Sequence, residues 1–275
     1  MIHVVTAANR SFYEPQLLEM HRMRKATFID RKGWANLKAS ANGGEYDEGD
    51  DERAIYLMCL TENGKVERSM RLRPTDDWSV LGSIFPHFVG PDEEPITNPD
   101  VWEMTRYCSS GASNEDETFR RQGEFQLAFI EKAVQCGIRR VVAISDLSLV
   151  ARNMRSGAPI RIIGLPWRYD EGEAVAVEAA PTAELVEELK ERLNIRGTAL
   201  LEFDENHPLC ELGPVQAEIF LEAIQQLNPA ARRLMTGITR TIANIEASEG
   251  VEAAIEAVER VREVIARDPP PRFTA

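Results

Sequence analysis

The chain has 275 residues, 43% of them hydrophobic, which is enough for one large globular domain or a domain with an extension. It holds no run of about 18 apolar residues, so no membrane span is expected, and its start (Met1-Ile2-His3-Val4) lacks the basic end and apolar core of a signal peptide, so a cytoplasmic location is expected. A formal net charge of −13 argues against a general nucleic-acid binder.

Residues 2–6 read as a short strand and residues 13–31 as a helix. The helix's apolar stripe runs Leu17, Met20, Arg24, Phe28, so an arginine falls among hydrophobic positions. Either Arg24 snorkels at the stripe's edge, or its guanidinium points into a site. Gly33-Trp34 then opens a polar loop through Asn42-Gly43-Gly44. The next stretch, Glu45-Tyr46-Asp47-Glu48-Gly49-Asp50-Asp51-Glu52, has the composition of disordered surface. Its offsets do not fit a calcium-binding EF-hand loop, and no metal site is expected.

Residues 54–61 read as a buried strand, and Asn63-Gly64 signals a two-residue hairpin. The return strand, Lys65 to Arg73, puts Met70 and Leu72 on one face and Arg71 and Arg73 on the other; Pro74 ends it. Residues 81–88 form an apolar turn containing Phe85-Pro86-His87-Phe88. A loop over 89–99 leads to a strand, Val101 to Tyr107. There Trp102 and Met104 face one way, Val101 and Thr105 the other. Glu103 and Arg106 point to opposite faces of a flat strand; only a bulge or a strand end brings both to one site. Two readings stand: a surface ion pair on an edge strand, or a buried acid with its charge partner in a cleft.

After Asn114 the spacing of Phe125, Leu127, Ala128, Ile130 and Val134 predicts a helix. Residues 141–144 read as a buried strand, and 147–154 as a short helix stopped by Ser156-Gly157-Ala158-Pro159. Strands at 160–163 and 174–179 and a helix at 182–193 follow. The order βαβββαβαββα predicts an α/β (α+β) fold, a central mixed sheet with helices on both faces. Beyond residue 195 a helical extension is expected over 196–275, with Pro214 and Pro229 at first helical positions and a third helix from about Ser248 to Arg267. Cys59, Cys108, Cys136 and Cys210 are scattered and read as buried free thiols, with no disulfide framework or zinc site. From Ile138 to Arg168 six arginines stand against one acid; from Tyr169 onward 21 acids stand against 10 bases. The basic island is either balanced in space by distant acids or a landing site for an anionic partner.

Taken together, these residues resemble the acyl-homoserine-lactone synthases, the autoinducer synthases of quorum sensing. The resemblance covers roughly residues 1–193. The family's pattern is matched in order by Arg24, Phe28 and Trp34; by Glu45, Asp47 and Asp50; by Arg71-Leu72-Arg73-Pro74-Thr75; by Phe85-Pro86-His87; and by Trp102-Glu103-Met104-Thr105-Arg106. Ser145, the run Met154-Arg155-Ser156-Gly157 and Ile163-Gly164-Leu165-Pro166 look like the family's second half. The resemblance implies a fold like the GNAT acetyltransferases. Of the GNAT phosphate loop, Arg120-Arg121-Gln122-Gly123-Glu124-Phe125 keeps only part, with Phe125 where a small residue belongs; that argues against a plain acetyl-CoA enzyme.

The resemblance further implies a reaction. The amine of S-adenosylmethionine attacks an acyl thioester, and its carboxylate then closes a lactone and expels methylthioadenosine. Both are co-substrates, so no separate cofactor is expected. Glu103 is the implied catalytic base. Arg24, Phe28, Trp34, Asp47, Asp50, Arg71, Phe85 and Arg106 shape the S-adenosylmethionine pocket and its charge network. Ala143, Ser145 and Leu149 are candidate walls of the acyl pocket, with an ordinary core role as the alternative for each. Arg152 and Arg155 are the candidate docking patch for acyl carrier protein, or for the phosphates of coenzyme A. Two other functions compete: a GNAT-like acyltransferase acting on another amine, and a non-catalytic interaction protein. The acyl chain, the carrier and the oligomeric state are not fixed by the sequence.

Overall fold

The computed structural model describes residues 1–111, 115–155, 160–169, 172–203 and 213–226, with six further helical positions, 252, 253, 256, 257, 259 and 260. The chain divides into two compact units, Met1–Phe203 and Asp204–Ala275. In the second, a helix Pro214–Gln226 begins at the proline that the sequence singles out. Pro229 and most of the expected helix over 248–267 lie outside the described residues.

Among the described residues, the first unit is built on nine strands. In chain order they are β1 (Ile2–Val5), β2 (Ile55–Leu60), β3 (Val66–Pro74), β4 (Val101–Ser109), β5 (Arg140–Asp146), β6 (Arg161–Ile162), β7 (Trp167–Tyr169), β8 (Gly172–Ala179) and β9 (Leu200–Leu201). Their order across the sheet is β6-β8-β5-β4-β3-β2-β1-β9, with β7 sharing the outer edge of β8 with β6. The pairs β4–β5 and β1–β9 are parallel and the rest antiparallel, so the sheet is mixed, as expected. β7 and β9 are too short to leave a periodic signal in the sequence. The hairpin between β2 and β3 turns through five residues, 61–65, instead of two; Thr61 N–H donates to the Lys65 carbonyl and the ladder shifts at Cys59/Leu60.

Alternation along the strands sorts the two faces. Ile2, Val4, Leu57, Met70, Leu72, Trp102 and Val141 point to one face and are covered by helix α2 (Glu115–Gln135), through Phe125, Leu127 and Ile130, and by helix α4 (Ala183–Leu193). Gly123 sits where α2 crosses α4: a Cβ there would lie 2.8 Å from Leu193 Cδ2. This glycine, like the buried Phe125, therefore serves helix packing. Helix α3 (Leu147–Arg155) lies against β5 and β8, with Val150 on Ala143, Val175 and Val177. On the opposite face, Met20 of helix α1 (Glu14–Arg24) packs on Tyr56, Met58 and Leu60, and Leu81 and Phe88 pack on Val101, Val142 and Ala176. Thr182 caps α4, accepting from Leu185 N–H at 3.1 Å.

Two expectations change, and one open alternative narrows. The acidic stretch 45–52 is folded, with Glu45 and the Asp50 carboxylate buried, because buried arginines satisfy its carboxylates. Cys136 is exposed where the last turn of α2 ends; Cys59 and Cys108 are buried, and Cys210 lies outside the described residues. In the basic island, Arg139 and Arg140 pair with Glu94, Arg140 and Arg161 with Glu178, Arg161 with Glu93 and Arg168 with Glu173. Arg139, Arg140 and Arg161 are balanced by acids distant in sequence, and Arg168 by a glutamate five residues on. The side chains of Arg152 and Arg155 lie outside the described residues.

Candidate active site

Glu103 stands in the middle of the sheet on the α1 face and is 3% exposed. Its two oxygens accept hydrogen bonds from consecutive backbone N–H groups, Val80 at 2.7 Å and Leu81 at 2.6 Å. These belong to a wide helical turn, Val80–Ile84, which Ser79 caps by accepting from Gly82 N–H at 2.9 Å. Burial pushes the carboxyl up, and the two N–H donors only partly oppose this, so its pKa settles at about 7. Phe85, at the end of this turn, is exposed and meets His87 and Phe88 edge-on.

Just beyond Glu103 the sheet opens. β4 and β5 pair only through Val101–Glu103 and Arg140–Val142. Past that point β5 runs on against β8, while β4 stays with β3. The parallel pair thus parts into a cleft between Met104–Tyr107 and Ala143–Asp146. Ala143 is buried against α3, Ser145 is half-buried with its hydroxyl on the Asp146 carbonyl, and Leu149 is half-buried on α3. A bulge breaks β4 in the same place. Ser69 faces Cys108 and Arg71 faces Thr105, so two steps on β3 match three on β4. Arg106 takes φ 56°, the left-handed region that costs a non-glycine residue about 1 kcal/mol or more.

That bulge turns Arg106 onto the face of Glu103 and Thr105, yet Glu103 and Arg106 do not pair. Arg106 reaches Glu45 at 2.9 Å and Asp47 at 2.7 Å. Arg24, the last residue of α1, reaches Glu45 at 2.6 Å and grips Asp50 with both terminal nitrogens, at 2.7 and 2.9 Å. Arg71 binds both oxygens of Asp47, Asp50 at 2.9 Å, and the Thr105 hydroxyl at 3.1 Å. Tyr56 donates to Asp50 at 2.9 Å. Three guanidinium groups and three carboxylates therefore alternate in one buried network. Burial alone would raise Asp47 and Asp50, but the arginines outweigh it and hold both below the usual carboxylate range. Close packing of the loop depends on Gly49: a Cβ there would lie 2.7 Å from the Arg71 guanidinium and from the Trp78 ring.

The aromatic wall follows from the same helix. After Arg24 the helix widens into a π-type turn, Lys25–Arg31, and Trp34 N–H donates back to the Phe28 carbonyl at 3.0 Å. The rings of Phe28 and Trp34 stack at 5.0 Å, and the Arg106 guanidinium lies over Phe28 at 5.6 Å. A cavity of about 440 Å³ is lined by Asn36, Leu37, Lys38, Tyr46, Asp47 and Glu48. A larger one, about 850 Å³, lies along α4 among Glu184, Glu187, Glu188 and Glu191, apart from the network. His21 stacks on Tyr46 at 3.8 Å; burial and the nearby Arg24 lower its pKa to about 4, so the ring stays neutral.

The structure brings Arg24, Asp47, Asp50, Arg71 and Arg106 into one network, with Phe28 and Trp34 beside it, and places Glu103 further along β4, opposite Arg73 and within the electrostatic reach of Arg71. Sequence reasoning gave no role to Glu45, the fully buried hub between Arg24 and Arg106; its place in the spacing Glu45, Asp47, Asp50 was the available signal. It also missed Thr105, Tyr56 and the N–H pair of Val80 and Leu81. Among the described residues no cluster of three or more histidines, cysteines and acids is arranged to hold a metal ion.

The autoinducer synthase family model matches residues 9–189. The isovaleryl-homoserine lactone synthase of Bradyrhizobium diazoefficiens is 29% identical over 199 residues, covering 71% of this chain and 86% of that protein. The acyl-homoserine-lactone synthase of Pseudomonas aeruginosa is 24% identical over 182 residues, covering 64% and 85%. Among solved structures, the CoA-dependent acyl-homoserine lactone synthase BjaI with SAM and isopentyl-CoA aligns with a TM-score of 0.67 at 25% identity, covering 80% of this chain and 99% of that one. TofI, in complex with an inhibitor and MTA, aligns at 0.58 and 25%, covering 69% and 96%. The matched span holds Glu103, the buried network and the aromatic wall, and the chain belongs to the autoinducer synthase family.

Proposed function

We propose that this acyltransferase is an acyl-homoserine-lactone synthase in which Glu103 serves as the base that frees the amine of S-adenosylmethionine. The observation that carries this reading is the state of Glu103: a buried carboxyl, fixed by two N–H groups at the point where β4 and β5 part, with a pKa near neutrality. A base works best when its pKa lies near the working pH.

The amine, having given its proton to Glu103 directly or through a water, attacks the thioester carbonyl. The C–N bond forms, the C–S bond breaks, and the thiolate leaves with a proton. Backbone N–H groups along the unpaired part of β4 are suited to receive the oxyanion of the tetrahedral intermediate. The carboxylate of the bound methionine moiety then attacks its own γ-carbon, closing the ring and expelling neutral methylthioadenosine. The sulfonium carries its own leaving group, so this step needs positioning more than acid assistance, and the two co-substrates suffice without a separate cofactor.

Arg24 has its donors committed to Glu45 and Asp50, so its role is to brace the acidic loop. Asp47, Asp50, Arg71 and Arg106 hold the same loop, and Phe28 and Trp34 offer π-faces to the adenine or the sulfonium, with Phe85 beyond the turn that grips Glu103. Ala143, Ser145 and Leu149 border the cleft assigned to the acyl chain. The donor is an acyl thioester on coenzyme A or on acyl carrier protein, with Arg152 and Arg155 as the docking pair. The reaction is placed in the first unit and in the cytoplasm, where both co-substrates are made, and the C-terminal helical extension is assigned a packing or interaction role.

The test is a donor panel of acyl-CoA and acyl carrier protein thioesters, with products read by mass spectrometry. Lactone and methylthioadenosine in equal amounts are expected. An amide formed on another amine with no methylthioadenosine would favour the general acyltransferase instead.

A further inference from the structure

The loop that carries Trp34 is tied across the open cleft to the opposite half of the sheet. Lys32 forms an ion pair with Asp146 at 3.5 Å. Asp146 is the last residue of β5, on the far side of the gap from β4. Its other oxygen accepts a hydrogen bond from the Tyr169 hydroxyl, and Tyr169 is the last residue of β7 at the sheet's outer edge. The Lys32 ammonium also lies over two rings, Trp34 at 5.4 Å and Tyr169 at 5.9 Å. Lys32 and Asp146 are only about a quarter exposed, so solvent screens the pair less than a free surface pair.

The first half of the network holds one end of the loop: Arg24, Glu45 and Asp50 fix where the helix ends, and Phe28 backs Trp34. The loop's backbone folds back on the π-type turn and its far end is bridged from Ala39 to Glu45, contacts that hold it on its own side and supply no restraint across the cleft to β5. Lys32 supplies that restraint, because its partner belongs to β5. The cation and Phe28 together set the tilt of the indole.

We propose that Lys32, Asp146 and Tyr169 form a clasp that positions Trp34 over the cleft between β4 and β5, so that they act as positioning residues for the S-adenosylmethionine half of the reaction. This rests on the function proposed above, where Trp34 is a wall of the S-adenosylmethionine site. The clasp residues touch no reacting atom in this scheme; their effect passes through the indole and the loop behind it.

The experiment compares the full-length protein with Lys32→Met, Lys32→Arg, Asp146→Asn and Tyr169→Phe, by steady-state kinetics and by amide hydrogen exchange without substrates. For Lys32→Met and Asp146→Asn, the KM for S-adenosylmethionine is expected to rise about fivefold, the effect of losing one half-screened ion pair, while kcat changes less than about twofold. Lys32→Arg keeps the cation and restores the wild-type KM; Tyr169→Phe falls between. Exchange of residues 32–37 is expected to quicken in Asp146→Asn while the peptides of β2 and β3 stay unchanged. An unchanged KM, or an equal fall in kcat in every variant including Lys32→Arg, overturns the proposal. If the wild type releases no methylthioadenosine with any donor, the proposed function fails on its own, and the exchange comparison still decides whether the clasp holds the loop: unchanged exchange overturns it.

Discussion

Replacing Glu103 by glutamine separates the chemistry of this carboxyl from its cost to the fold. Its pKa rises from an ordinary 4.5 to about 7 on folding, chiefly through burial. The folded protein therefore holds the proton more tightly than the unfolded chain. The stabilisation is complete below pH 4.5 and is lost as pH rises through 7. Over the interval from pH 5 to pH 8 the loss is on the order of 2–3 kcal/mol, at somewhat over 1 kcal/mol for each tenfold change in proton affinity. Glu103→Gln has no such proton to lose. Its amide sets an NH₂ against one of the two N–H donors of Val80 and Leu81, a mismatch costing about 1–3 kcal/mol at every pH. Urea unfolding of both proteins at pH 5 and pH 8 gives the two differences. The stability of wild type minus variant should fall by roughly 2–3 kcal/mol between those pH values. A difference that moves by less than about 0.5 kcal/mol would refute the reasoning, since it would mean that Glu103 titrates as an exposed carboxyl does.

Other expected outcomes follow from the same geometry. Glu45→Gln removes one of three carboxylates from a network whose charges balance, leaving Arg24 and Arg106 under-compensated; a loss of about 3–5 kcal/mol in urea unfolding is expected, and a loss under about 1 kcal/mol would show that the network is plastic. Trp34→Ala should weaken S-adenosylmethionine binding by about 0.5–2 kcal/mol in calorimetric titration with little change in melting temperature; an unchanged Kd would remove the indole from the site. A chain ending at 195 lacks β9, and with it the buried Leu200 and Leu201 and the bonds from Ile2 N–H to the Ala199 carbonyl and from the Asn9 amide to the Phe203 carbonyl. It should melt about 10 °C or more below a chain ending at 203; equal melting temperatures would make β9 dispensable.

Much of this site was legible because it is written in alternation and fixed offsets. The faces of β3 and β4 follow directly from period two, which puts Arg71 beside Thr105 and Glu103 and leaves Met70, Leu72 and Trp102 for α2. Arg24 and Phe28 emerge from one helical stripe, and the helix carries both into the site. What escaped was non-local. Composition reads 45–52 as solvated chain, and only the arginines brought in from α1, β3 and β4 turn those acids into buried structure. The partner of Glu103 is a pair of backbone N–H groups on a distant turn, which no side-chain pattern reveals. Arg139, Arg140 and Arg161 of the basic island met glutamates far away in sequence, Glu93, Glu94 and Glu178, so a local charge count overstated the island's field. Strands of two or three residues, β7 and β9, exist because a neighbour offers an edge.

The most direct measurement is methylthioadenosine release by wild type and Glu103→Gln, supplied with S-adenosylmethionine and an acyl thioester from pH 6 to pH 8.5. Release should require both co-substrates, rise through pH of about 7 in the wild type, and fall by about 10²–10⁴ in the variant. Release that proceeds without the thioester, or that the variant supports at the wild-type rate, would contradict the assignment of Glu103 as the base.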